Sequence, residues 1–189
     1  MAREFERTLK DIDKRCQKSQ TPYALIGGLA AIIYGSTRTT VDVDIVVLAE
    51  LDALENVLKI FSTGYASLQP QPLSFFKRCF FVPLQNAKTK IRVDVVAALS
   101  GFERKVLARS QRHFFDKIEV SVCSIEDLLL MKLVAARAKD ELDLDKLVQL
   151  HRKQLDLKHL RVRAKEFVEV ERSDVPELLA KLLKKHRGK

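Results

Sequence analysis

The chain has 189 residues, of which 47% are hydrophobic and 31% are charged, and its formal net charge at pH 7 is +9. A chain of this length can bury the core of one domain, alone or with a helical appendage, without disulfides or a structural metal. No apolar run reaches about 18 residues, so we expect no membrane span, and the charged N-terminus lacks the apolar core of a signal peptide. The cysteines are scattered and odd in number: Cys16, Cys79 and Cys123. They exclude a disulfide framework or a zinc site and favour a reducing cytoplasm.

The chain opens with a pattern typical of an amphipathic helix over residues 3–18. Its apolar positions follow helical spacing: Phe5, Leu9, Ile12 and Cys16. Tyr23–Ile26 then predicts a short strand that enters Gly27-Gly28. Glycine lets backbone N–H groups approach a ligand closely, and the start of the next helix offers free donors and a partial positive charge. This turn suits a triphosphate, although a tight strand-to-helix turn needs no ligand.

A strand carrying Asp42 and Asp44 follows that helix and a loop. Because side chains alternate across a strand, the two aspartates share one face. The apolar residues around them share the other face: Val41, Val43, Ile45 and Val47. Adjacent carboxylates raise each other's pKa unless a cation sits between them, so the pair predicts a bound cation. Arg38, in the loop before the strand, could contact a nucleotide phosphate or brace the aspartates, and the residues alone leave both open.

The middle of the chain predicts a helix at Leu51–Phe61 and, from its aromatic residues, a strand at Phe75–Leu84. Lys90–Ala98 predicts another strand, in which Asp94 is the single carboxylate. An unpaired buried carboxylate is costly, so Asp94 requires a partner. Arg92, on the same face of the strand, could be that partner in a purely structural salt bridge.

The last third of the chain predicts one strand pair and then helices. The strands are Arg112–Phe115 and Ile118–Val122, and Ser124 then starts a helix that is apolar nearly all round and therefore buried. Lys132 lies among its apolar side chains, where an ammonium group needs an anion, solvent or a snorkelling route. Further amphipathic helices follow, and residues 184–189 are expected to fray.

A double glycine, a helix and an Asp-x-Asp pair flanked by apolar residues resemble the signature of the DNA polymerase β-like nucleotidyltransferase superfamily. Gly27-Gly28 and Asp42-Val43-Asp44-Ile45 carry this resemblance. The arrangement of Arg38 and Thr40 just before the aspartate pair most resembles that in the minimal bacterial branch of this superfamily. That branch includes the abortive-infection (AbiEii-type) toxin nucleotidyltransferases and their uncharacterised relatives. The resemblance implies an α/β (α+β) nucleotidyltransferase fold with a mixed central sheet flanked by helices over residues 1–123. A helical C-terminal region, residues 124–189, would pack on this core or extend from it.

The resemblance also implies the metal and phosphate ligands. Two Mg²⁺ ions would be bound by three aspartates, with Asp42 and Asp44 bridging both ions and Asp94 binding the ion that activates the acceptor hydroxyl. This requires the two strands that carry them to be neighbours in one sheet. Gly27 and Gly28, with the helix after them, would hold the triphosphate of the NTP substrate.

Two cations complete the implied nucleotide site. Arg38 and Lys132 would neutralise charge that develops on the pyrophosphate leaving group. Related minimal nucleotidyltransferases carry a lysine at the position of Lys132, followed by a basic turn and Asp-x-x-Asp. Here that motif is Asp140 and Asp143, which we expect to brace helix ends or basic residues rather than to bind metal.

The implied activity is the Mg-dependent transfer of a nucleoside monophosphate from an NTP to an acceptor hydroxyl. RNA, particularly a tRNA 3′ end, fits the basic tail, because residues 151–189 contain twelve Lys or Arg and six Asp or Glu. The toxin resemblance adds an antitoxin protein as a partner. Two other acceptors stay open, namely a small molecule of the aminoglycoside type and a protein hydroxyl. A hypothesis from another class is an inactive nucleotidyltransferase-fold module that binds a nucleotide or a partner.

Overall fold

The structure is a computed structural model that describes residues 2–99 and 101–186. Residues 187–189, part of the segment expected to fray, lie outside the described residues. The chain divides into two compact units. The first contains Met1–Ile33 and Thr39–Cys123, and the second contains Tyr34–Arg38 and Ser124–Lys189. The short segment 34–38 therefore groups with the C-terminal helices, although it lies between two elements of the first unit along the chain.

The first unit combines five α-helices with seven strands over the described residues. In chain order they are α1 Ala2–Lys18, β1 Tyr23–Ile26, α2 Gly27–Ile33, β2 Asp42–Leu48, a 3-10 turn Leu51–Ala53, α3 Leu54–Phe61, β3 Tyr65–Ser67, α4 Pro72–Cys79, β4 Phe81–Asn86, β5 Arg92–Ala98, α5 Gly101–Ala108, β6 Gln111–Phe115 and β7 Ile118–Val122. The strands form one sheet in the order β3-β4-β5-β2-β1-β7-β6. The pairs β2–β5 and β1–β7 are parallel and the other pairs are antiparallel. The predicted α/β (α+β) class with a mixed sheet is confirmed.

The core of the sheet follows the predicted alternation in its two central parallel strands. One face of β2 and β5 is fully buried: Val43, Ile45, Val47, Val93 and Val95. Helix α1 also buries the predicted stripe: Phe5, Leu9, Ile12 and Cys16. Val41, predicted to share the apolar face, precedes the strand and is exposed.

The strand predicted at Phe75–Leu84 is wrong in its first half, whereas residues 81–84 do lie in β4. Its first half belongs to helix α4, which begins with Pro72 at a position where the fixed φ of proline fits a helix. Phe76 is fully buried from this helix, and Phe80 then turns the chain with a φ of 56° before β4 begins. Aromatic residues favour strands in general, but tertiary burial overrides that preference here. The helix predicted from Leu51 also starts later, at Leu54, after a 3-10 turn in which Leu51 is exposed.

The second unit consists of helices in the part of the chain that the structure describes. They are α6 Ile125–Ala135, α7 Ala138–His151, α8 Leu157–Glu166, a 3-10 turn Phe167–Val170 and α9 Asp174–Lys185. Ser124 caps α6 as predicted, because its hydroxyl accepts a hydrogen bond from the Asp127 amide at 3.2 Å. Helix α6 ends earlier than its apolar pattern predicts, since Ala136 adopts a φ of 48° and starts a tight turn into α7. None of the helices in residues 2–99 and 101–186 combines the length and the apolar composition that crossing a bilayer requires.

Candidate active site

The three aspartates singled out from the sequence lie on neighbouring strands. In the parallel pair β2–β5, Asp44 is the direct partner of Asp94, and Asp42 is the direct partner of Arg92. Directly paired residues of adjacent strands point to the same side of a sheet. Asp42, Asp44 and Asp94 therefore share one face with Arg92, opposite the buried valine face. The requirement that the two strands be neighbours is met.

Asp44 is in close contact with the predicted glycine turn. Ile26 at the end of β1 pairs with Asp44, and Gly27 follows with a φ of +66°. A Cβ atom built on Gly27 would lie 2.1 Å from Oδ2 of Asp44, a distance that no real side chain could occupy. Two features therefore favour glycine at position 27. Its backbone is left-handed, and the carboxylate of Asp44 packs against its Cα. Gly28 is buried within the first turn of α2.

Asp42 is oriented by the residue two positions before it. The Thr40 hydroxyl donates a hydrogen bond of 2.6 Å to Oδ1 of Asp42. Such a bond limits rotation of the carboxylate and leaves its other oxygen to a different partner. The Thr-x-Asp spacing could have predicted this contact, because threonine side chains commonly bond groups two residues away.

Asp94 is engaged by Arg92 in a bidentate salt bridge. Nε and Nη2 of Arg92 donate to the two oxygens of Asp94 at 2.8 and 2.9 Å. These hydrogen bonds are the main reason that the pKa of Arg92 is raised, and the charges of Asp42 and Asp44 raise it further. The guanidinium thus offsets one of the three negative charges on the shared face, and the Arg92–Asp94 salt bridge considered from the sequence is present.

The carboxylate oxygens on this face are chemically suited to a divalent cation, but their present positions do not form a complete binding site for one. Carboxylate oxygens on adjacent strands are the hard ligands that Mg²⁺ prefers. However, within residues 2–99 and 101–186 no three His, Cys, Asp or Glu side chains are already placed to hold one ion. Both oxygens of Asp94 accept a hydrogen bond from Arg92, so a cation at Asp94 would compete with the guanidinium for the same carboxylate.

Lys132, in the second unit, lies in a buried ionic cluster. Its ammonium group donates to Asp143 at 2.6 Å and to Asp140 at 3.2 Å. The three side chains are almost completely buried, at 2%, 1% and 0% exposure respectively for Lys132, Asp143 and Asp140. The two aspartates therefore brace a basic residue, as expected from the sequence. The two aspartates thus supply the anion that a buried lysine at position 132 requires. Contact between Lys132 and a nucleotide stays a prediction.

The same cluster contains Arg38, at the end of the segment 34–38. Nη1 of Arg38 donates to Asp143 at 2.9 Å, and the Ser36 hydroxyl donates to the other oxygen of Asp143 at 2.6 Å. Arg137 adds two hydrogen bonds to Asp140, at 2.6 and 3.2 Å. Ser36 and Arg137 carried no functional prediction from the sequence, because they meet the aspartates only through the fold.

Electrostatics explain why both carboxylates stay charged in this cluster. Burial by itself raises the pKa of Asp143, but hydrogen bonds from Lys132, Ser36 and Arg38 outweigh that effect and lower the pKa below its usual value. Asp140 behaves in the same way, with hydrogen bonds from Arg137 and Lys132 opposing burial. The predicted residues thus form two groups. Gly27 and the three aspartates lie together in the first unit, and Arg38 and Lys132 meet at Asp143 in the second.

Several solved structures share this fold. The antibiotic-resistance factor ANT(2'')-Ia aligns with a TM-score of 0.57 at 15% identity over 100% of both chains. An antigenic nucleotidyltransferase-like protein from Paracoccidioides brasiliensis aligns with a TM-score of 0.55 at 16% identity, covering 96% of this chain and 92% of the other. The lincosamide antibiotic adenylyltransferase LnuA, solved with lincomycin bound, aligns with a TM-score of 0.52 at 15% identity, covering 75% and 95%. At these identities the likeness shows the fold alone.

The chain combines this fold with two adjacent parallel strands that carry aspartates beside a double glycine. No curated protein matches the sequence. The chain belongs to the family described as "Nucleotidyltransferase of unknown function (DUF6036)", whose family model matches residues 3–183. It is therefore an enzyme of the nucleotidyltransferase class.

Proposed function

We propose that the enzyme transfers a nucleoside monophosphate from an NTP to an acceptor hydroxyl, with Mg²⁺ held by Asp42, Asp44 and Asp94. The observation that carries this proposal is the direct pairing of Asp44 with Asp94 in parallel strands. It supports a shared cation because two carboxylates side by side on one face repel each other unless positive charge lies between them. Arg92 supplies positive charge at Asp94.

Bound Mg²⁺ would stabilise negative charge on the attacking and leaving oxygens of phosphoryl transfer. The chain's own groups prepare the site for this role. Thr40 orients Asp42, and the missing side chain at Gly27 leaves room for the carboxylate of Asp44. We propose that Gly27 and Gly28 also face the triphosphate, because backbone amides in such a turn can approach phosphate oxygens closely.

Arg38 and Lys132 are proposed to neutralise charge on the leaving group. Around Asp140 and Asp143 the described contacts bring together three cations, Arg38, Lys132 and Arg137. Arg38 is partly exposed whereas Lys132 is buried. This supports Arg38 as the group that contacts phosphate and Lys132 as the group that positions it through Asp143.

Two acceptor classes are supported by different observations. RNA, such as a tRNA 3′ end, is supported by the basic composition of residues 151–189. With that acceptor, a toxin role with an antitoxin partner follows from the AbiEii-type resemblance. A small-molecule acceptor is supported by structural neighbours whose names identify them as antibiotic adenylyltransferases or resistance factors.

The test is incubation with each α-labelled NTP, Mg²⁺ and total RNA, followed by gel and mass spectrometry. We expect label to be transferred by the wild-type protein and transfer to fall by at least about 100-fold in Asp44→Asn and Asp94→Asn, since loss of groups that only support a metal ligand already costs 10–100-fold. Asp52→Asn, which changes an exposed aspartate in the 3-10 turn, is the matched control. Undiminished transfer by a folded Asp44→Asn protein would contradict the proposal, and label in RNA, protein or a small product identifies the acceptor.

A further inference from the structure

The outer side of helix α1 carries a continuous row of cations. They recur every three or four residues along the helix, and each side chain is exposed: Arg3, Arg7, Lys10, Lys14 and Lys18. With 3.6 residues per turn, the five lie within an arc of about 80° and extend over about 22 Å of the helix axis. These five residues are the basic stripe of α1.

The carboxylates of α1 lie on both sides of the basic stripe and not within it. By the same helical geometry, Glu4 and Asp11 fall on one side, and Glu6 and Asp13 fall on the other. The composition of the helix, six Lys or Arg and four Asp or Glu, conceals this segregation. The positive charge is therefore confined to a narrow line.

The protein leaves the basic stripe without ion pairs of its own. Asp11 accepts a hydrogen bond from Arg15 at 2.6 Å, and Asp13 accepts from Tyr23 and from Arg112, both at 2.7 Å. In residues 2–99 and 101–186, none of the five stripe cations forms an ion pair with a carboxylate. Like charges three or four residues apart destabilise a helix, so the stripe favours binding of an external anion.

Helix α1 covers the face of the sheet opposite the proposed metal ligands. Tyr23 pairs with Val47 and therefore points to the buried valine face, where its hydroxyl donates to Asp13 of α1. Arg15 lies over the ring of Tyr65, 5.2 Å from the ring centre, and the register of β3 with β4 places that ring on the same face. The basic stripe is thus separated from the aspartates by the sheet and by the diameter of the helix, about 10 Å.

A narrow row of charge favours a linear polyanion over a planar one. An anionic membrane surface would also meet the carboxylates on both sides of the stripe. Helix α1 offers a membrane no apolar anchor, because its large apolar side chains are buried in the protein: Phe5, Leu9, Ile12 and Cys16. A phosphate backbone is narrow enough to follow the stripe alone, and with cations about 4.5–6 Å apart along the axis it can contact all five.

We propose that the basic stripe binds the phosphate backbone of RNA, independently of sequence. Phosphates alone do not distinguish RNA from DNA, so the choice of RNA rests on the proposed function, in which RNA is an acceptor. Because the stripe and the proposed metal ligands lie on opposite sides of the sheet, the phosphates held by α1 are not those beside the reacting hydroxyl. The stripe therefore increases the affinity for RNA and takes no part in the chemical step.

The test is the salt dependence of RNA binding by the full chain, without Mg²⁺ or NTP. Fluorescence anisotropy with a labelled single-stranded RNA gives the slope of log Ka against log[salt]. Each phosphate contact contributes about −0.7 to that slope, so the five stripe cations account for about −3.5. Combining Lys10→Gln, Lys14→Gln and Lys18→Gln should make the slope shallower by about 2 and weaken binding at about 50 mM salt at least tenfold.

The matched control removes the same charge elsewhere. Combining Lys77→Gln, Lys117→Gln and Lys153→Gln changes three exposed lysines in separate parts of the chain and should leave the slope unchanged. Glutamine forms helices about as well as lysine, so the stripe variant should keep the Tm of the wild type. If both triple variants make the slope equally shallow, net charge and not the basic stripe binds RNA, and this inference is wrong.

Two further arms test the identity of the partner. If the stripe variant loses binding to vesicles of anionic lipid while its binding to RNA is unchanged, the partner is a membrane and the inference is wrong. If a DNA strand of the same length binds the wild type at least tenfold more tightly than the RNA does, the stripe is a site for DNA and the choice of RNA is wrong.

Failure of this inference differs from failure of the proposed function. With labelled NTP and RNA, the stripe variant should raise KM for RNA at least tenfold at unchanged kcat. If label enters RNA with the same KM in the variant and the wild type, the stripe does not hold RNA and the proposed function stands. If RNA binds to the stripe as expected but no NTP transfers label to any acceptor, the proposed function fails and the RNA-binding surface stands.

Discussion

The carboxylate of Asp44 occupies the space that a side chain on Gly27 would need. The relevant distance is 2.1 Å from an ideal Cβ at position 27 to Oδ2 of Asp44. The double glycine and the Asp-x-Asp pair, which lie far apart in the sequence, are thus parts of one contact. Because the register of β1 with β2 places Ile26 opposite Asp44, any change in the turn is transmitted directly to a proposed metal ligand.

Gly27→Ala is expected to lower the free energy of unfolding by about 2 kcal/mol or more. A left-handed backbone with a Cβ costs about 1–2 kcal/mol, and the Asp44 side chain must also move. The displaced carboxylate should reduce the thermal stabilisation produced by Mg²⁺ with NTP. Urea unfolding and thermal shift measure the two effects. Gly101→Ala is the control, because a Cβ at that position meets no atom within 4 Å, and a Gly27→Ala protein as stable as that control would contradict the expected clash.

Arg92→Ala is expected to have opposite effects with and without metal. Without metal, Asp94 loses its paired cation while two other carboxylates lie on the same face, so Tm should fall. With Mn²⁺ or Mg²⁺, binding should tighten, because the guanidinium no longer competes for Asp94. The salt bridge is half-exposed on the arginine side, where such pairs contribute at most about 1 kcal/mol, so the dissociation constant should fall by a factor of up to about five. Isothermal titration calorimetry measures it.

The chain offers a matched control for this variant. Arg172 and Asp174 form the same two-residue bidentate pair, with both hydrogen bonds at 2.9 Å, in the second unit. Arg172→Ala should reduce stability without changing metal affinity. Equal or weaker metal binding by Arg92→Ala would show that the guanidinium does not compete with the cation.

Lys132→Met is expected to lower the free energy of unfolding by about 3 kcal/mol, because removing one partner leaves Asp140 and Asp143 buried with less compensating charge. Lys139→Met, an exposed change on the next helix, should have little effect. Chemical denaturation compares the two. If Lys132 also contacts or positions the nucleotide, the thermal stabilisation produced by NTP should be smaller in this variant than in the wild type, measured where the variant is folded. A Lys132→Met protein with wild-type stability would contradict the buried-cluster assignment.

The sequence predicted those features that depend on neighbouring residues. Alternation placed Asp42 and Asp44 on one face and assigned Asp94 to a second strand, and helical spacing predicted the buried stripe of α1. The helix of Pro72–Cys79 was missed, because its aromatic residues favour strands when they are considered without their packing partners. Patterns over a few residues report local geometry, and they lose accuracy where burial decides between a helix and a strand.

The sequence by itself thus determined the two aspartate strands and the double glycine, since periodicity and turn chemistry are local properties of the chain, and its resemblance to a known superfamily implied the class of fold. Only the tertiary structure decided which atoms meet. It paired Asp44 with Asp94, placed Asp44 against Gly27 and gave Lys132 its two carboxylates. Strand register and the partners of buried charges depend on contacts between residues far apart in sequence, and those contacts form only when the chain folds.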